Sequence, residues 1–129
     1  MTNEEKQLLL KDLCTRLPYG VKFQGEDSNV YTLDAANYFA LQVEDMIFKP
    51  YLRPMSSMTE EERKELSQIS EEYLDDWSTA DSNLVKWKLD AKVSSMRATF
   101  YNSHYLDWND LISKGLALEA PEDMYKKEN

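Results

Sequence analysis

The sequence predicts an α+β fold, with a small antiparallel sheet beside an N-terminal helix and a C-terminal antiparallel helical hairpin. Three observations predict it. Apolar residues recur at helical spacing near the N-terminus, alternate with polar residues between 19 and 52, and return to helical spacing after residue 59. Because 129 residues match the usual size of one domain, we expect a single domain spanning 1–129.

Residues 3–16 form the first predicted helix. Thr2 and Glu5 have the spacing of a capping box, in which each side chain accepts a hydrogen bond from the backbone N–H of the other. Leucines then recur every three or four positions. Pro18 ends the helix because it lacks an N–H and disfavours a helical conformation in the residue before it. Cys14, the single cysteine, is expected to be a buried and inert thiol on this helix.

Residues 19–52 are predicted to form a β-meander of three or four strands, which can curl toward a small barrel. The segment VKFQ alternates apolar and polar side chains, and GEDSN has turn chemistry. VYTLDA and YFALQV are rich in β-branched and aromatic residues. Residues 34–45 stay open between strand and helix, because DAANYFALQVEDM fits both patterns.

The stretch 49–66, KPYLRPMSSMTEEERKEL, is interpreted as the joint between the last strand and a helix. Pro50 and Pro54 lack a backbone N–H, which disfavours a central strand. Thr59 and Glu62 have the spacing of a second capping box, so the next helix begins there. The alternative interpretation is an extended, proline-rich docking peptide.

An antiparallel hairpin of two helices, 59–77 and 83–104, is predicted from the short connection between them. The first helix holds eight acidic and two basic residues, whereas four basic residues stand against Asp90 alone in the second. We expect these opposite charges to line the contact between the helices. The clearest helical period of the chain runs from Val85 to Phe100 and predicts a buried stripe.

The C-terminal part is predicted to contain a short helix, 107–114, followed by a tail, 115–129. Asp107 has the residue type of an N-cap, and Gly115 that of the residue just past a helix end. Trp108, Leu111 and Ile112 are expected to face inward. The helix would thus close the core against the end of the long helix.

Motifs for catalysis, nucleotide binding and metal binding are missing from the sequence. Three scattered glycines do not form a phosphate-binding loop, and one histidine with one cysteine does not assemble a zinc site. We therefore predict no cofactor, no metal site and no catalytic residue. Whether the chain is an enzyme stays open, although the missing motifs disfavour it. A hydrolase using His104 and Asp107 is kept as an alternative, since the two are close in sequence.

The charge of the chain bears on its partners. A net charge of −9 disfavours direct binding to nucleic acid, whose phosphates would be repelled. The same acidity permits a second alternative, an acidic mimic of nucleic acid that inhibits a DNA-acting enzyme. No signal peptide and no run of about 18 apolar residues is present, so we predict a cytoplasmic protein without a membrane partner.

Five residues are the candidates for a binding surface: Tyr51, Arg53, His104, Tyr105 and Trp108. The first two lie between the prolines, and an aromatic ring beside a cation is typical of a docking peptide. The other three belong to the aromatic run FYNSHYLDW, which can either stack on a ligand or close the core. Whether the two segments form one surface is left open.

Three blocks of the sequence carry a resemblance: KPYLRPMSSMTEEE at 49–62, GLALEAPEDMY at 115–125 and LLLKDLCTRLPYGV at 8–21. In these blocks, about a third of its length, the chain resembles a group of small uncharacterised proteins of gut Bacteroidales genomes, some of them prophage- or mobile-element-like. The resemblance implies a bacterial or phage setting. It implies no activity for any residue.

The leading functional hypothesis is a non-enzymatic accessory protein, acting as a protein–protein interaction module of a bacterial, phage or mobile-element system. A well-specified core, strong acidity and missing catalytic motifs favour this interpretation. The expected partner is an unidentified protein. Self-association as a homodimer is kept open.

Overall fold

The computed structural model describes residues 2–43 and 48–125. Its α-helices are α1 (Asn3–Arg16), α2 (Ala35–Val43), α3 (Glu60–Glu71), the short α4 (Leu74–Ser78) and α5 (Asn83–Ser103). Its strands are β1 (Lys22–Gln24), β2 (Val30–Thr32), β3 (Lys49–Leu52) and β4 (Leu118–Glu119). Single turns of 3-10 helix cover Leu17–Tyr19 and Met55–Ser57. The predicted α+β class is confirmed.

The four strands form one open, mixed sheet in the order β2-β1-β3-β4. β1 pairs antiparallel with β2 and β3, so that Phe23 lies opposite Tyr31 and Pro50. β4 pairs parallel with β3, with Leu118 opposite Tyr51. The sheet differs from the predicted antiparallel meander because its fourth strand comes from the C-terminal segment, and it does not curl into a barrel.

Pro50 lies in β3, which has a neighbouring strand on each side, although prolines disfavour such positions. The parallel partner β4 pairs only with Tyr51 and Leu52. Pro50 therefore has a paired residue on the β1 side alone, so its missing N–H removes no bond to β4.

The prediction that 49–66 joins a strand to a helix is confirmed. β3 is followed by Pro54, which precedes the 3-10 turn Met55–Ser57. α3 then begins with the predicted capping box, in which the Thr59 hydroxyl accepts from the Glu62 N–H at 3.2 Å and the Glu62 carboxylate accepts from the Thr59 N–H at 2.9 Å. The extended exit and the capped helix are thus two halves of one local structure.

Helix α2 lies within the stretch predicted as a meander, which is a correction to that prediction. The carboxylate of Asp34 accepts a hydrogen bond from the Asn37 N–H at 2.8 Å, as an N-cap does. The Tyr38 hydroxyl donates to the Leu10 carbonyl at 3.1 Å and fastens α2 to α1. The open question over 34–45 is thus decided for a helix as far as residue 43, and residues 44 and 45 lie outside the described residues.

Helix α1 covers the predicted range and has the predicted capping box. Its inward side carries Asp12, Leu13 and Arg16, all of them buried. Cys14 lies two positions from both Asp12 and Arg16, about 200° around the helix from each, and therefore turns away from the core. The thiol is exposed, so the prediction that it is buried was wrong.

The hydrophobic core lies between α1, the sheet and the C-terminal segment. Its buried members come from all three parts: Leu9, Leu13, Val21, Phe23, Leu33, Phe48, Leu52, Leu111, Leu116 and Ala117. We call this part of the molecule, residues 2–43, 48–58 and 104–125 of those described, the body. Residues 59–103, which hold α3, α4 and α5, are called the hairpin.

The hairpin differs in two ways from the one predicted. The acidic helix 59–77 is divided into α3 and α4, with Glu72 and Tyr73 between them. The stripe on α5 is buried only where it reaches the body: Phe100 is 7% exposed, whereas Val85 is 44% exposed. Between these ends Leu89, Val93 and Met96 are half-buried.

The charges of the hairpin do not pair as the sequence predicts. Lys92 of α5 lies over the Tyr73 ring at 4.8 Å from its centre, and Lys86 lies over the Trp77 ring at 4.6 Å. Among the described residues, the ion pairs that reach the acidic helix come from Arg53 and His104 at the junction with the body, rather than from the lysines of α5. Aromatic faces thus hold the ammonium groups that we expected beside carboxylates.

The segment after α5 is not the short helix and tail that the sequence predicts. Residues 107–114 form successive turns, because Asp110 adopts a left-handed conformation with φ of 59° that no α-helix contains. Leu111 nevertheless faces inward and is fully buried. The predicted tail, 115–129, contributes β4 and the buried Leu116, so the part of it described here belongs to the core.

Candidate functional site

The first candidate site is a cluster of charged side chains where the hairpin joins the body. The Arg53 guanidinium forms a bidentate pair with Glu62, at 2.8 Å from Nη1 to Oε2 and 2.7 Å from Nη2 to Oε1. The same carboxylate lies 2.8 Å from Nδ1 of His104. Three elements meet at Glu62: the exit of β3, the start of α3 and the end of α5.

The electrostatics of this cluster keep the Glu62 carboxylate charged well below its ordinary pKa. The Arg53 guanidinium, followed by the N–H of Thr59, lowers the pKa of the Glu62 carboxyl to about 2. The Arg53 guanidinium also donates to two backbone carbonyls: Nη1 to that of His104 at 3.2 Å and Nη2 to that of Ser57 at 3.1 Å. Both terminal nitrogens are therefore engaged within the protein.

An open cleft of about 660 Å³ lies beside this cluster. Its walls come from the joint and from the C-terminal segment: Arg53, Pro54, Ser57, Thr59, Glu62, Glu119, Ala120, Pro121, Glu122 and Tyr125. Arg53, the cation of this wall, already binds the Glu62 carboxylate and two backbone carbonyls. The carboxylates of Glu119 and Glu122 lie on the C-terminal side of the cleft. The cleft therefore offers little to an anionic ligand.

Tyr51 and Tyr105 are brought into the body by a tyrosine that the sequence does not single out. The Tyr125 hydroxyl donates to the Tyr51 carbonyl at 2.6 Å and accepts from the Lys22 N–H at 2.9 Å, and burial raises its pKa. Its ring stacks on Tyr105 with centres 3.8 Å apart. Tyr105 in turn donates to the Tyr19 carbonyl at 2.6 Å. These contacts fasten the C-terminal segment to the sheet.

Trp108 lies at the base of α5 with part of its ring open to solvent. Its Nε1–H donates to the Asn102 side-chain carbonyl at 2.9 Å, and its ring stacks on Tyr101 with centres 5.8 Å apart. The side chain is 37% exposed, so the prediction that Trp108 faces inward was wrong. Of the five candidate residues, Trp108 thus presents an apolar surface that a partner can reach.

The two candidate segments do converge, since Arg53 donates its backbone N–H to Tyr105 and its carbonyl accepts from Asp107. The pairing expected for a hydrolase is different from the one observed. The Asp107 carboxylate accepts from the backbone N–H of Leu111 at 2.8 Å and of Ile112 at 3.0 Å, whereas His104 lies against Glu62. Within the described residues, no three metal-ligating side chains come together.

The second candidate site is the free end of the hairpin, which comprises α4, the connection 79–82 and the first two turns of α5. Five large apolar residues are exposed there: Leu74 (58%), Trp77 (39%), Leu84 (58%), Val85 (44%) and Trp87 (65%). An open groove of about 360 Å³ runs between α5 and the pair α3 and α4, and Leu74 and Trp77 line it. An apolar surface of this kind on a folded chain is typical of a contact with another protein.

Sequence reasoning missed the free end because it predicted that the stripe from Val85 to Phe100 is buried along its whole length, and it did not consider Leu74 and Leu84. A signal was present. Leu84 and Trp87 fall on the side of α5 opposite Leu89 and Val93, so α5 has apolar residues on two faces. The neighbouring α3 can cover the face with Leu89 and Val93, and the face with Leu84 and Trp87 is left exposed to solvent or to a partner.

Comparisons with protein families, with curated proteins and with solved structures give no match to this chain. Among the described residues, no helix combines the length and the apolar character needed to cross a bilayer.

Proposed function

We propose that the chain is a protein–protein interaction module whose binding element is the hairpin. The observation that carries the proposal is the exposure of Trp87 by 65% and of Leu84 by 58% in a chain that buries a complete core elsewhere. Tryptophan dominates the binding energy of many protein interfaces, because its large ring loses much water contact when covered. A non-enzymatic accessory role in a bacterial or mobile-element setting agrees with the sequence resemblance.

The shape of the hairpin supports the proposal. α5 is about 30 Å long at 1.5 Å per residue. Its C-terminal end meets the body, where Phe100 is buried and the His104 carbonyl accepts from Nη1 of Arg53. The other end of the hairpin carries Trp77 and Trp87, which are both exposed. An exposed apolar helix end of this kind can enter a groove or meet a helix of another protein without rearrangement of the body.

Site-specific photo-crosslinking in the producing cells tests the proposal. A photo-reactive amino acid replaces Trp87 and, in the control chain, Phe39 of α2, because both side chains are 65% exposed and Phe39 belongs to the body. We expect a protein adduct, identified by mass spectrometry, at position 87 and a much weaker one at position 39. Equal adducts at both positions, or none at position 87, contradict the proposal.

A second candidate function is an acidic mimic of nucleic acid. It is favoured by the exposed carboxylates of α3 and α4, which α5 leaves without a lysine partner: Glu60, Glu61, Glu65, Glu71, Glu72, Asp75 and Asp76. A mimic would inhibit DNA-acting enzymes in proportion to this charge. Replacing Glu61, Glu65 and Glu72 together by glutamine would then weaken inhibition in a panel of such enzymes, while Trp87→Ser would leave it intact.

A further inference from the structure

We propose that the outer face of α5 binds the same face of a second copy of this chain, as an antiparallel, two-fold symmetric helix pair. The inference rests on the proposed function, since it names the partner for one face of the hairpin. The outer face is the side of α5 opposite the half-buried stripe of Leu89, Val93 and Met96, and at its middle Ser94 borders the open groove toward α3 and α4. It consists of Leu84, Trp87, Ala91, Ser94, Ala98 and Tyr101.

The spacing of the outer face is that of a helix pair. Its six residues follow one another at intervals of three, four, three, four and three, which is the repeat of a coiled-coil seam. Through most of α5 the half-buried residues lie on the other side, toward α3, and the outer face is exposed from Leu84 to Ser94. At about 1.5 Å per residue the seam from Leu84 to Tyr101 is about 27 Å long.

The order of large and small residues in the seam suits an antiparallel partner. Ser94 is the midpoint, with Trp87 seven residues before it and Tyr101 seven after it. When two copies run antiparallel about Ser94, Trp87 of one copy comes opposite Tyr101 of the other. Ala91 and Ala98 flank the midpoint and allow the two helix axes to approach closely, while the large rings cover each other at both ends.

Charge complementarity selects the same arrangement. Asp90 and Arg97 lie seven residues apart and therefore on the same flank of the seam. In an antiparallel pair this flank meets its own copy, so Asp90 comes beside Arg97 of the second chain, and symmetry makes the pair twice. On the other flank Lys88 comes opposite Thr99, so no like charges are brought together.

The surroundings leave these two charges accessible. One Nη of Arg97 contacts the hydroxyl of Ser70 on α3, and both Asp90 and Arg97 border the open groove between α5 and the pair α3 and α4. Trp108 lies beside Tyr101 with 37% of its side chain exposed. A second copy would therefore cover Trp87 with two aromatic rings at the base of its own α5.

Sedimentation equilibrium of the purified full-length chain gives the first test. We expect a dimer at micromolar concentration, and for Trp87→Ala a dissociation constant raised about a hundredfold, because each dimer loses two tryptophans. Phe39→Ala is the matched control and should leave the constant unchanged. A wild-type chain that stays monomeric up to about 1 mM, or a dimer that Trp87→Ala does not weaken, overturns the inference.

Exchange of the two charges gives the second test. In the Asp90→Arg variant, the new arginine of each copy lies beside Arg97 of the other copy, and this repulsion should weaken the dimer about tenfold. Arg97→Asp should weaken it in the same way, because it places two aspartates side by side. The double variant with both substitutions recreates the pair with its charges reversed, and its constant should return to within about threefold of the wild type. Additive weakening in the double variant contradicts the antiparallel register.

Disulfide trapping tests the orientation without relying on affinity. In a Cys14→Ser background, Ser94→Cys should cross-link two chains under mild oxidation, because the cysteines face each other at the dyad. Ala98→Cys should not, since the two positions are about 12 Å apart along the helices, beyond the reach of a disulfide. Equal cross-linking at both positions indicates a parallel pair and overturns the inference.

A monomeric chain that still gives photo-adducts with another protein at position 87 overturns this inference alone, and leaves the proposed function standing.

Discussion

The body and the hairpin differ in how sequence pattern relates to burial. α5 has the longest helical period in the chain, yet Phe100 and Asn102 are its only buried residues. Leu111 in the body is fully buried although it lies in a run of turns without any period. A period thus reports the conformation of the backbone and the side that is apolar. It does not show which other part of the protein packs on the apolar side, and in the hairpin much of that side is exposed to solvent.

Polar contacts separate the two regions as well. The body contains a buried ion pair between Asp12 and Arg16, whose side chains are both 0% exposed. The hairpin has ammonium groups over the half-buried ring of Tyr73 and the exposed ring of Trp77. Buried charges cost much free energy when they lose a partner, whereas surface cations lose little. Substitutions should therefore have large effects in the body and small ones in the hairpin.

The largest effect is expected for Asp12→Ala. Arg16 would remain buried without the carboxylate that accepts from its Nε at 2.7 Å, and its bond from Nη2 to the Leu106 carbonyl would not replace the lost charge. We expect the free energy of unfolding, measured with urea, to fall by about 4 kcal/mol. Combining Asp12→Ala with Arg16→Met should recover part of the loss, because no unpaired charge is then buried. A loss under about 1 kcal/mol would show that water reaches the pair.

A matched pair of leucines gives the next effect. Leu111→Ala removes a side chain that is fully buried, and should lower the free energy of unfolding by about 3 kcal/mol. Leu89→Ala makes the same change on the half-buried stripe of the hairpin and should cost about 1 kcal/mol. Equal losses in urea unfolding at low protein concentration would mean that the hairpin is covered in the free chain, contrary to the structure.

Local features of the fold were predictable from sequence, and distant ones were not. The capping boxes at Thr2 and Thr59 depend on residues three positions away, so the sequence alone is sufficient for them. The bond from Arg16 to Leu106 spans 90 positions, and that from Lys22 to Tyr125 spans 103. No periodic pattern records such contacts, so the sequence predicts a tail where the C-terminal segment packs on the core.

The candidate site follows the same rule. Arg53 and His104 were selected as conspicuous side chains, but their common partner Glu62 was already explained by its role in the capping box. Nothing in the sequence shows that one carboxylate serves three contacts. Two faces on α5 were visible in the spacing of Leu84 and Trp87, and only the coordinates show that the second face is open.

Glu62 joins the two regions and should make their connection sensitive to pH. Its pKa is about 2 in the folded chain, against an ordinary value of 4.5, so its contribution to stability is complete above about pH 4.5 and is lost as the pH falls toward 2. With 12% of the side chain exposed, we expect this contribution to be about 2 kcal/mol. Urea unfolding between pH 2 and 5 should show a steeper pH dependence for the wild type than for Glu62→Gln. Parallel curves for the two proteins would contradict the assignment.

The smallest effect concerns the lysines of the hairpin, and it decides between two accounts of their role. If Lys92 is held by the ring of Tyr73, a double-mutant cycle of Lys92→Met with Tyr73→Leu should give a coupling of about 0.5 kcal/mol. The same cycle with Glu72→Gln should give a coupling near zero, because that carboxylate is exposed and the ammonium group lies over the ring. A larger coupling to Glu72 would restore the charge pairing that the sequence predicts. It would also remove the basis for treating the acidic edge as a surface free to meet a partner.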